Sequence, residues 1–146
     1  WAGLDPYMAQ TELEQGSRLI YRNIEFNSWG FLNAREEFLE KHPAYVVRIL
    51  AQYERARHWI LEHPEEAAQI LAEEAKLSID VARRELFDRT VLDINPIPGD
   101  EQKAVLARII PIFEAENQLS PGADATKALE ELFDTRFITQ VVTPQA

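Results

Sequence analysis

Six side chains near the start of the sequence could together hold a small molecule, because they combine flat apolar surface with hydrogen-bonding groups. They are Trp1, Asp5, Tyr7, Asn27, Ser28 and Trp29. Sites for small ligands are typically apolar pockets in which a few polar groups converge. Indole rings can form the apolar walls, and amide, hydroxyl and carboxylate groups can make the polar contacts. The pattern therefore indicates ligand binding as one role for this part of the chain.

The same residues also fit a purely structural role. The tryptophans could belong to a core, and Asp5 could cap a short helix that begins at Pro6. A carboxylate accepts an unpaired amide of the first turn, and proline suits the first helical position. For Asp5, capping is the favoured interpretation. For residues 27–29 the structural role and the binding role are equally open.

The sequence lacks the common catalytic and metal-binding patterns. It has no cysteine, so thiolate nucleophiles and sulfur-ligated metals are excluded. His58 and His63 are five residues apart, whereas a helical metal pair needs a spacing of about four. His42 and His63 are expected at helix ends, where imidazolium meets the negative end of the dipole. Glycine motifs that cradle phosphate are missing too. We predict no catalytic residue, no metal and no cofactor.

The composition is acidic and globular, which narrows the range of partners. The chain has 146 residues and a formal charge of −10, from 25 acidic and 15 basic side chains. Because nucleic-acid binding depends on clustered Lys and Arg, no nucleic-acid partner is expected. The apolar share of 46%, with 10% aromatic residues, predicts a packed core.

The first 33 residues carry most of the strand-like pattern. Arg18–Arg22 and Ser28–Leu32 are apolar or alternating over a strand-sized length, and a polar bridge separates them. They could form a hairpin, or they could join a sheet made by other residues. Either way, the pattern predicts two or three short strands near the amino terminus.

From Ala34 onward the periodicity is helical, so the chain is predicted to be mainly α. Pro43 and Pro64 each follow a histidine and should open a new helix, since the missing N–H costs nothing in a first turn. Ser78 is a candidate N-cap. Pro111 should bend a long helix that starts near residue 100.

Two segments resemble a known family of transport proteins. Residues 1–7 read Trp-Ala-Gly-Leu-Asp-Pro-Tyr, and residues 35–43 read Arg-Glu-Glu-Phe-Leu-Glu-Lys-His-Pro. Both are similar to the carboxy-terminal part of periplasmic solute-binding proteins of the aliphatic sulfonate, taurine and nitrate ABC-transporter family. The similarity extends more loosely over nearly all of the chain. Leu4 departs from it, because the family usually has a second tryptophan there.

The resemblance implies a fold and a site. It implies the C-terminal portion of a two-lobed α/β periplasmic-binding-protein fold of type II. Residues 1–33 would border the cleft and cross between lobes, and residues 34–146 would be the helical portion that completes one lobe, within one structural unit. Carried over by position, the residues predicted to bind ligand are Trp1, Asp5, Asn27, Ser28 and Trp29.

The resemblance also implies a function, namely the substrate-binding component of an ABC importer for a small organic anion such as an aliphatic sulfonate or taurine. The implied partner is the transporter permease, and the implied location is periplasmic or extracytoplasmic, with membrane association through the transporter. The chain would be only part of that receptor. It begins with Trp instead of Met, so an upstream portion is expected.

Two other functions stay open at this point. One is an enzyme of the same superfamily, such as a thiamine-pyrimidine synthase or a sulfinate desulfinase, although the desulfinases use a cysteine that this chain lacks. The other is a free-standing helical interaction module. If the chain is a partial receptor, we also expect it either to self-associate or to carry residual disorder around residues 1 to 33, because exposed strand edges with apolar faces tend to find partners.

Overall fold

The computed structural model describes residues 2–24 and 29–142. Within these residues the chain forms nine α-helices and one short π-helical segment, Arg84–Arg89, that continues directly from the fifth helix. The helices are α1 Tyr7–Gln15, α2 Glu36–Lys41, α3 Pro43–Glu62, α4 Pro64–Ala75, α5 Ile79–Arg83, α6 Asp100–Ala107, α7 Ile110–Ala115, α8 Ala125–Glu131 and α9 Arg136–Val142. None of the helices in this part of the chain is both long and apolar enough to cross a membrane.

The prediction of a mainly helical chain agrees with a helix content of 63%, but the predictions of short strands and of an α/β fold are wrong. Across residues 2–24 and 29–142 there is no strand, and both Arg18–Arg22 and residues 29–32 lack regular structure. A helix satisfies its backbone groups locally, whereas a strand needs a neighbour to accept and donate its hydrogen bonds. An alternating pattern alone does not supply that neighbour.

Proline sets three helix boundaries. α3 begins at Pro43 and α4 begins at Pro64, as predicted. The predicted long helix after residue 99 is divided into α6, which ends at Ala107, and α7, in which Pro111 occupies the first turn. Since a proline nitrogen carries no hydrogen, it cannot donate to the carbonyl four residues earlier, which is that of Ala107. The helix therefore breaks where a bend was expected.

Two helix starts show how local caps and tertiary contacts compete. Asp124 caps α8, because its Oδ1 accepts the Lys127 amide at 2.9 Å. Ser78 precedes α5 in an extended conformation but makes no side-chain cap. Its hydroxyl instead donates to Glu14 Oε1 at 2.9 Å, which ties the start of α5 to α1. The predicted capping role of Ser78 is therefore wrong.

Contacts divide the chain into two units. The first contains residues up to Arg22 together with Tyr53–Ile94, and the second contains Asn23–Gln52 and residues from Asn95 onward. In the first unit, α5 packs against α4 and α1. In the second unit, α6 packs against α8, and Phe31 lies against Phe133 with ring centroids 5.5 Å apart.

The core of the first unit is built mainly from small side chains. Among the described residues the largest fully buried side chain is Val81 of α5. Its buried companions in that unit are all alanines, namely Ala9, Ala67, Ala68, Ala72 and Ala82. Alanine allows helix backbones to approach closely but contributes little apolar area per residue. Polar contacts between the helices therefore matter more here than in a core of large side chains.

Candidate functional site

A cluster of charged side chains joins the amino-terminal segment of the first unit to the π-helical segment. Arg89 Nη1 donates to Asp5 Oδ1 at 2.6 Å, and Arg89 Nη2 donates to Glu12 Oε2. The Arg89 side chain is only 6% exposed, and those of Asp5 and Glu12 are 19% and 24% exposed. We call Asp5, Glu12, Glu85 and Arg89 the Arg89 cluster.

Local structure explains why these groups meet. Asp5 lies two residues before α1, with Pro6 between them, and its Oδ1 also accepts the Ala9 amide at 3.0 Å, so the carboxylate bonds the first turn as expected. Glu12 lies seven residues further on, which places it on the same helical face. Arg89 is the last residue of the π-helical segment. Such segments are rare and often occur at functional sites.

The guanidinium of Arg89 is already committed within the protein. Burial acts to lower the pKa of Arg89, but the hydrogen bonds that Arg89 donates to Asp5 and Glu12, together with the negative charges of these carboxylates, outweigh burial, so the pKa is raised. Two carboxylates face one guanidinium, which leaves the group with a net negative charge. Arg89 is therefore not available as the positive group that binds an external anion.

Glu85 is the member of the Arg89 cluster whose burial is unfavourable when its carboxyl is charged. Its Oε2 is closed off from solvent and has no hydrogen-bond partner among the described residues. Burial, followed by the negative charge of Asp5, raises the pKa of Glu85 above its ordinary value of 4.5. The folded state consequently favours the protonated carboxyl. Stability from this group is complete below about pH 4.5 and is lost as the pH rises through the raised pKa.

We expect Glu85→Gln to stabilise the protein near neutral pH. Glutamine resembles the protonated carboxyl, so the variant avoids holding a buried charge beside Asp5. Removing an unfavourable contribution of about 1 kcal/mol raises Tm by about 3 °C at about pH 7. At about pH 4 the variant and the wild type should have the same Tm. Thermal unfolding followed by circular dichroism at both pH values measures this difference.

The control for that comparison is Glu74→Gln, because Glu74 is an exposed glutamate on α4 of the same unit. It removes the same charge without relieving burial, so its Tm should follow the wild type at both pH values. A Glu85→Gln variant that is less stable than the wild type at about pH 7 would contradict the interpretation.

Of the five predicted ligand-binding residues, the described residues include two. Asp5 belongs to the first unit, where it makes the contacts given above, and Trp29 belongs to the second unit, where it is half-buried. Trp1, Asn27 and Ser28 lie outside the described residues. The involvement of all five in ligand binding stays a prediction.

The sequence patterns did not single out the other members of the Arg89 cluster. Glu12, Glu85 and Arg89 each look like ordinary solvated charges on a helix. The available signal was weak: Asp5 and Glu12 share a helical face, and Glu85 and Arg89 are four residues apart, a spacing typical of side-chain pairs. Neither spacing shows that the two pairs meet.

Two surface depressions of the first unit are lined, among the described residues, by side chains that do not include Asp5 or Trp29. One is lined by Leu13, Asp80, Arg83, Arg84, Phe87 and Asp88. Its arginines are paired with carboxylates, Arg83 with Glu65 at 2.8 Å and Arg84 with Asp88 at 3.0 Å. The other is mostly apolar and is lined by Ile60, Leu61, Pro64, Leu86, Phe87, Thr90, Val91, Leu92 and Asp93.

Two of the histidines, His42 and His63, take part in helix-end contacts. His63 connects α3 to α4, stacks on Trp59 with ring centroids 5.0 Å apart, and places Nδ1 3.1 Å from Glu66 Oε1. His42 lies between the rings of Phe38 and Tyr45. Over residues 2–24 and 29–142, no group of His, Asp and Glu side chains has the arrangement of a metal site.

Comparison with curated proteins confirms the resemblance to solute-binding proteins of the sulfonate group. One relative is a protein of Bacillus subtilis (strain 168) that carries the provisional name aliphatic sulfonates-binding protein. The two are 25% identical over 140 residues, which is 94% of this chain. The matched region is 39% of the relative, so the chain spans less than half of its length. No protein-family model and no solved structure matches the chain significantly.

Proposed function

We propose that this chain is part of the solute-binding component of an ABC importer, and that the solute is a small organic anion of the aliphatic sulfonate type. The observation that carries the proposal is the match over 94% of the chain to a relative named for binding aliphatic sulfonates. That name describes a binding protein rather than an enzyme. The proposed partner is the importer's permease, and the proposed location is extracytoplasmic.

The acidic character of the chain is compatible with an anionic solute. The electric field of a surface carboxylate passes through the surrounding salt solution, whose ions screen it beyond about 8 to 10 Å. A bound anion is stabilised by donors within a few ångströms, such as indole, amide and hydroxyl groups. We propose that Trp1, Asn27, Ser28 and Trp29 supply these donors. The formal charge of −10 therefore affects solubility more than it affects ligand affinity.

Asp5 needs a separate explanation, because a carboxylate beside an anionic ligand is unfavourable. Its contact with Arg89 at 2.6 Å offsets that charge locally and reduces the repulsion. This pairing supports a place for Asp5 at the edge of the site, next to the uncharged part of the solute. Self-association of the isolated chain stays a further prediction.

We expect the full-length protein encoded by the gene to bind an alkanesulfonate in titration calorimetry, with a dissociation constant below about 1 mM. The double variant Ser28→Ala with Trp29→Ala should bind about thirtyfold more weakly, because loss of a buried tryptophan contact typically costs about 2 kcal/mol. Titrations with taurine and with nitrate measure how far the preference extends.

The matched control is Trp59→Phe, which alters a tryptophan on α3 that stacks on His63 and is not among the predicted ligand residues. Its affinity should equal that of the wild type. Absence of binding to any of the three anions at millimolar concentration would show that the proposed ligand class is wrong. Unchanged affinity in the double variant would show instead that the site assignment is wrong.

A further inference from the structure

We propose that the apolar depression of the first unit is a covered surface in the full-length protein, and that its occupant is a segment of the same polypeptide outside these 146 residues. The apolar depression is the one lined by Ile60, Leu61, Pro64, Leu86, Phe87, Thr90, Val91, Leu92 and Asp93. This inference rests on the proposed function in one respect, because it takes the chain to be part of a longer receptor.

Large apolar side chains are open to solvent around the apolar depression. Val91 is 75% exposed, Leu61 is 44% exposed and Phe87 is 42% exposed. The buried residues of the same unit are small by contrast, and Val81 is the largest fully buried side chain among those described. The unit therefore gains little hydrophobic free energy from its largest apolar side chains. Apolar surface that is concentrated in one place in this way marks an interaction site.

Hydrogen bonds hold the wall of the apolar depression in place without covering it. Arg57 Nη1 donates to the Leu92 carbonyl oxygen at 2.8 Å, and Arg57 Nη2 donates to Glu54 Oε2 at 2.7 Å. Thr90 Oγ1 donates to the Glu85 carbonyl oxygen at 2.9 Å. These bonds fasten the residues after the π-helical segment to α3 and to that segment, so the concave surface of about 390 Å³ is already formed. A preformed surface loses less conformational entropy when it is covered.

The lining sets the chemistry of the occupant. Among the described lining residues, Asp93 is the only charged one, and Thr90 is the only other one with a polar side chain. A carboxylate is costly to bury without a partner. The occupant should therefore present several apolar side chains, with a positive group or a hydrogen-bond donor opposite Asp93.

Length and charge favour the same polypeptide over a second copy of the chain. The matched region is 39% of the relative, so more than half of the relative lies outside the match and is long enough to supply a covering segment. A segment of the same polypeptide is held near the apolar depression at a high effective concentration. Two copies of this chain, each with a formal charge of −10, would instead repel each other as they approach.

The test is cysteine labelling of the full-length protein encoded by the gene, with its monomeric state checked by light scattering. The present chain has no cysteine, so Val91→Cys adds a single thiol to it, and mass spectrometry of the labelled peptide identifies that thiol. We expect iodoacetamide to label it at least about tenfold more slowly than the thiol of Glu74→Cys, because a covered thiol reacts only when the covering segment opens. In concentrated urea the two thiols should react at similar rates.

Two variants accompany this measurement. Glu74→Cys is the control, because Glu74 is exposed on the helix α4 of the same unit. Leu61→Cys places the thiol at a second lining position, so the inference stays testable even if Val91→Cys does not fold. We expect slow labelling at Leu61→Cys as well.

Rapid labelling at both lining positions of the monomer would overturn the inference. Protection that is lost when the protein is diluted would also overturn it, since a second copy would then be the cover. So would a gene that encodes no more than these 146 residues. Because labelling needs no solute, a full-length protein that protects both thiols but binds no sulfonate would support the covered surface and overturn only the proposed ligand.

Discussion

Replacing Arg89 by methionine is expected to destabilise the protein by about 3 kcal/mol, which corresponds to a fall in Tm of about 10 °C. The substitution keeps most of the apolar stem but leaves Asp5 and Glu12 facing each other in a site from which most solvent is excluded. Removing one partner of a buried ion pair is costly because the remaining charge stays desolvated. Thermal unfolding followed by circular dichroism measures the effect.

The control for this prediction is Arg83→Met on the neighbouring helix α5. Arg83 also pairs with a carboxylate, Glu65 at 2.8 Å, but its side chain is 45% exposed. Exposed ion pairs contribute little, so the change should be within about 1 kcal/mol. Equal losses in the two arginine variants would show that the Arg89 cluster contributes no more than a surface pair.

Enlarging Ala68 to leucine is expected to destabilise the first unit by about 2 to 3 kcal/mol. Ala68 on α4 and Ala82 on α5 are both 0% exposed, and these two helices pack against each other. Extra methylene groups in such a close contact force strained rotamers or separate the helices. In urea unfolding, the urea concentration at the midpoint should fall, while the slope of the unfolding free energy against urea concentration stays the same.

Gln69→Leu is the matched control, because Gln69 is the next residue on α4 and is exposed. This variant adds a leucine to the same helix but outside the contact between α4 and α5, so its urea midpoint should stay close to that of the wild type. A stable Ala68→Leu protein would mean that α4 and α5 can move apart without loss of stability, contrary to the tight alanine packing described above.

The candidate site was only partly predictable from sequence. Asp5 stood out because an acidic residue before proline suits a helix start, and the bond from the Ala9 amide follows from that local pattern. Its other partner, Arg89, is 84 residues away, and the link from Arg89 to Glu12 spans 77 residues. Local residue spacing contains no information about contacts at such separations.

The sequence by itself determined where α3 and α4 begin, at Pro43 and Pro64, because the missing N–H of proline acts within one turn. At Pro111 it indicated an irregularity but predicted a bend, whereas the helix is divided there. It also determined a predominantly helical chain, since helical hydrogen bonds join residues close in sequence. Only the tertiary structure decided that the segment Arg18–Arg22 forms no strand, that Ser78 bonds to Glu14 instead of capping α5, and that Arg89 reaches Asp5. Each of these outcomes depends on which distant group is near enough to donate or accept a hydrogen bond, and only the packing of the helices places such groups together.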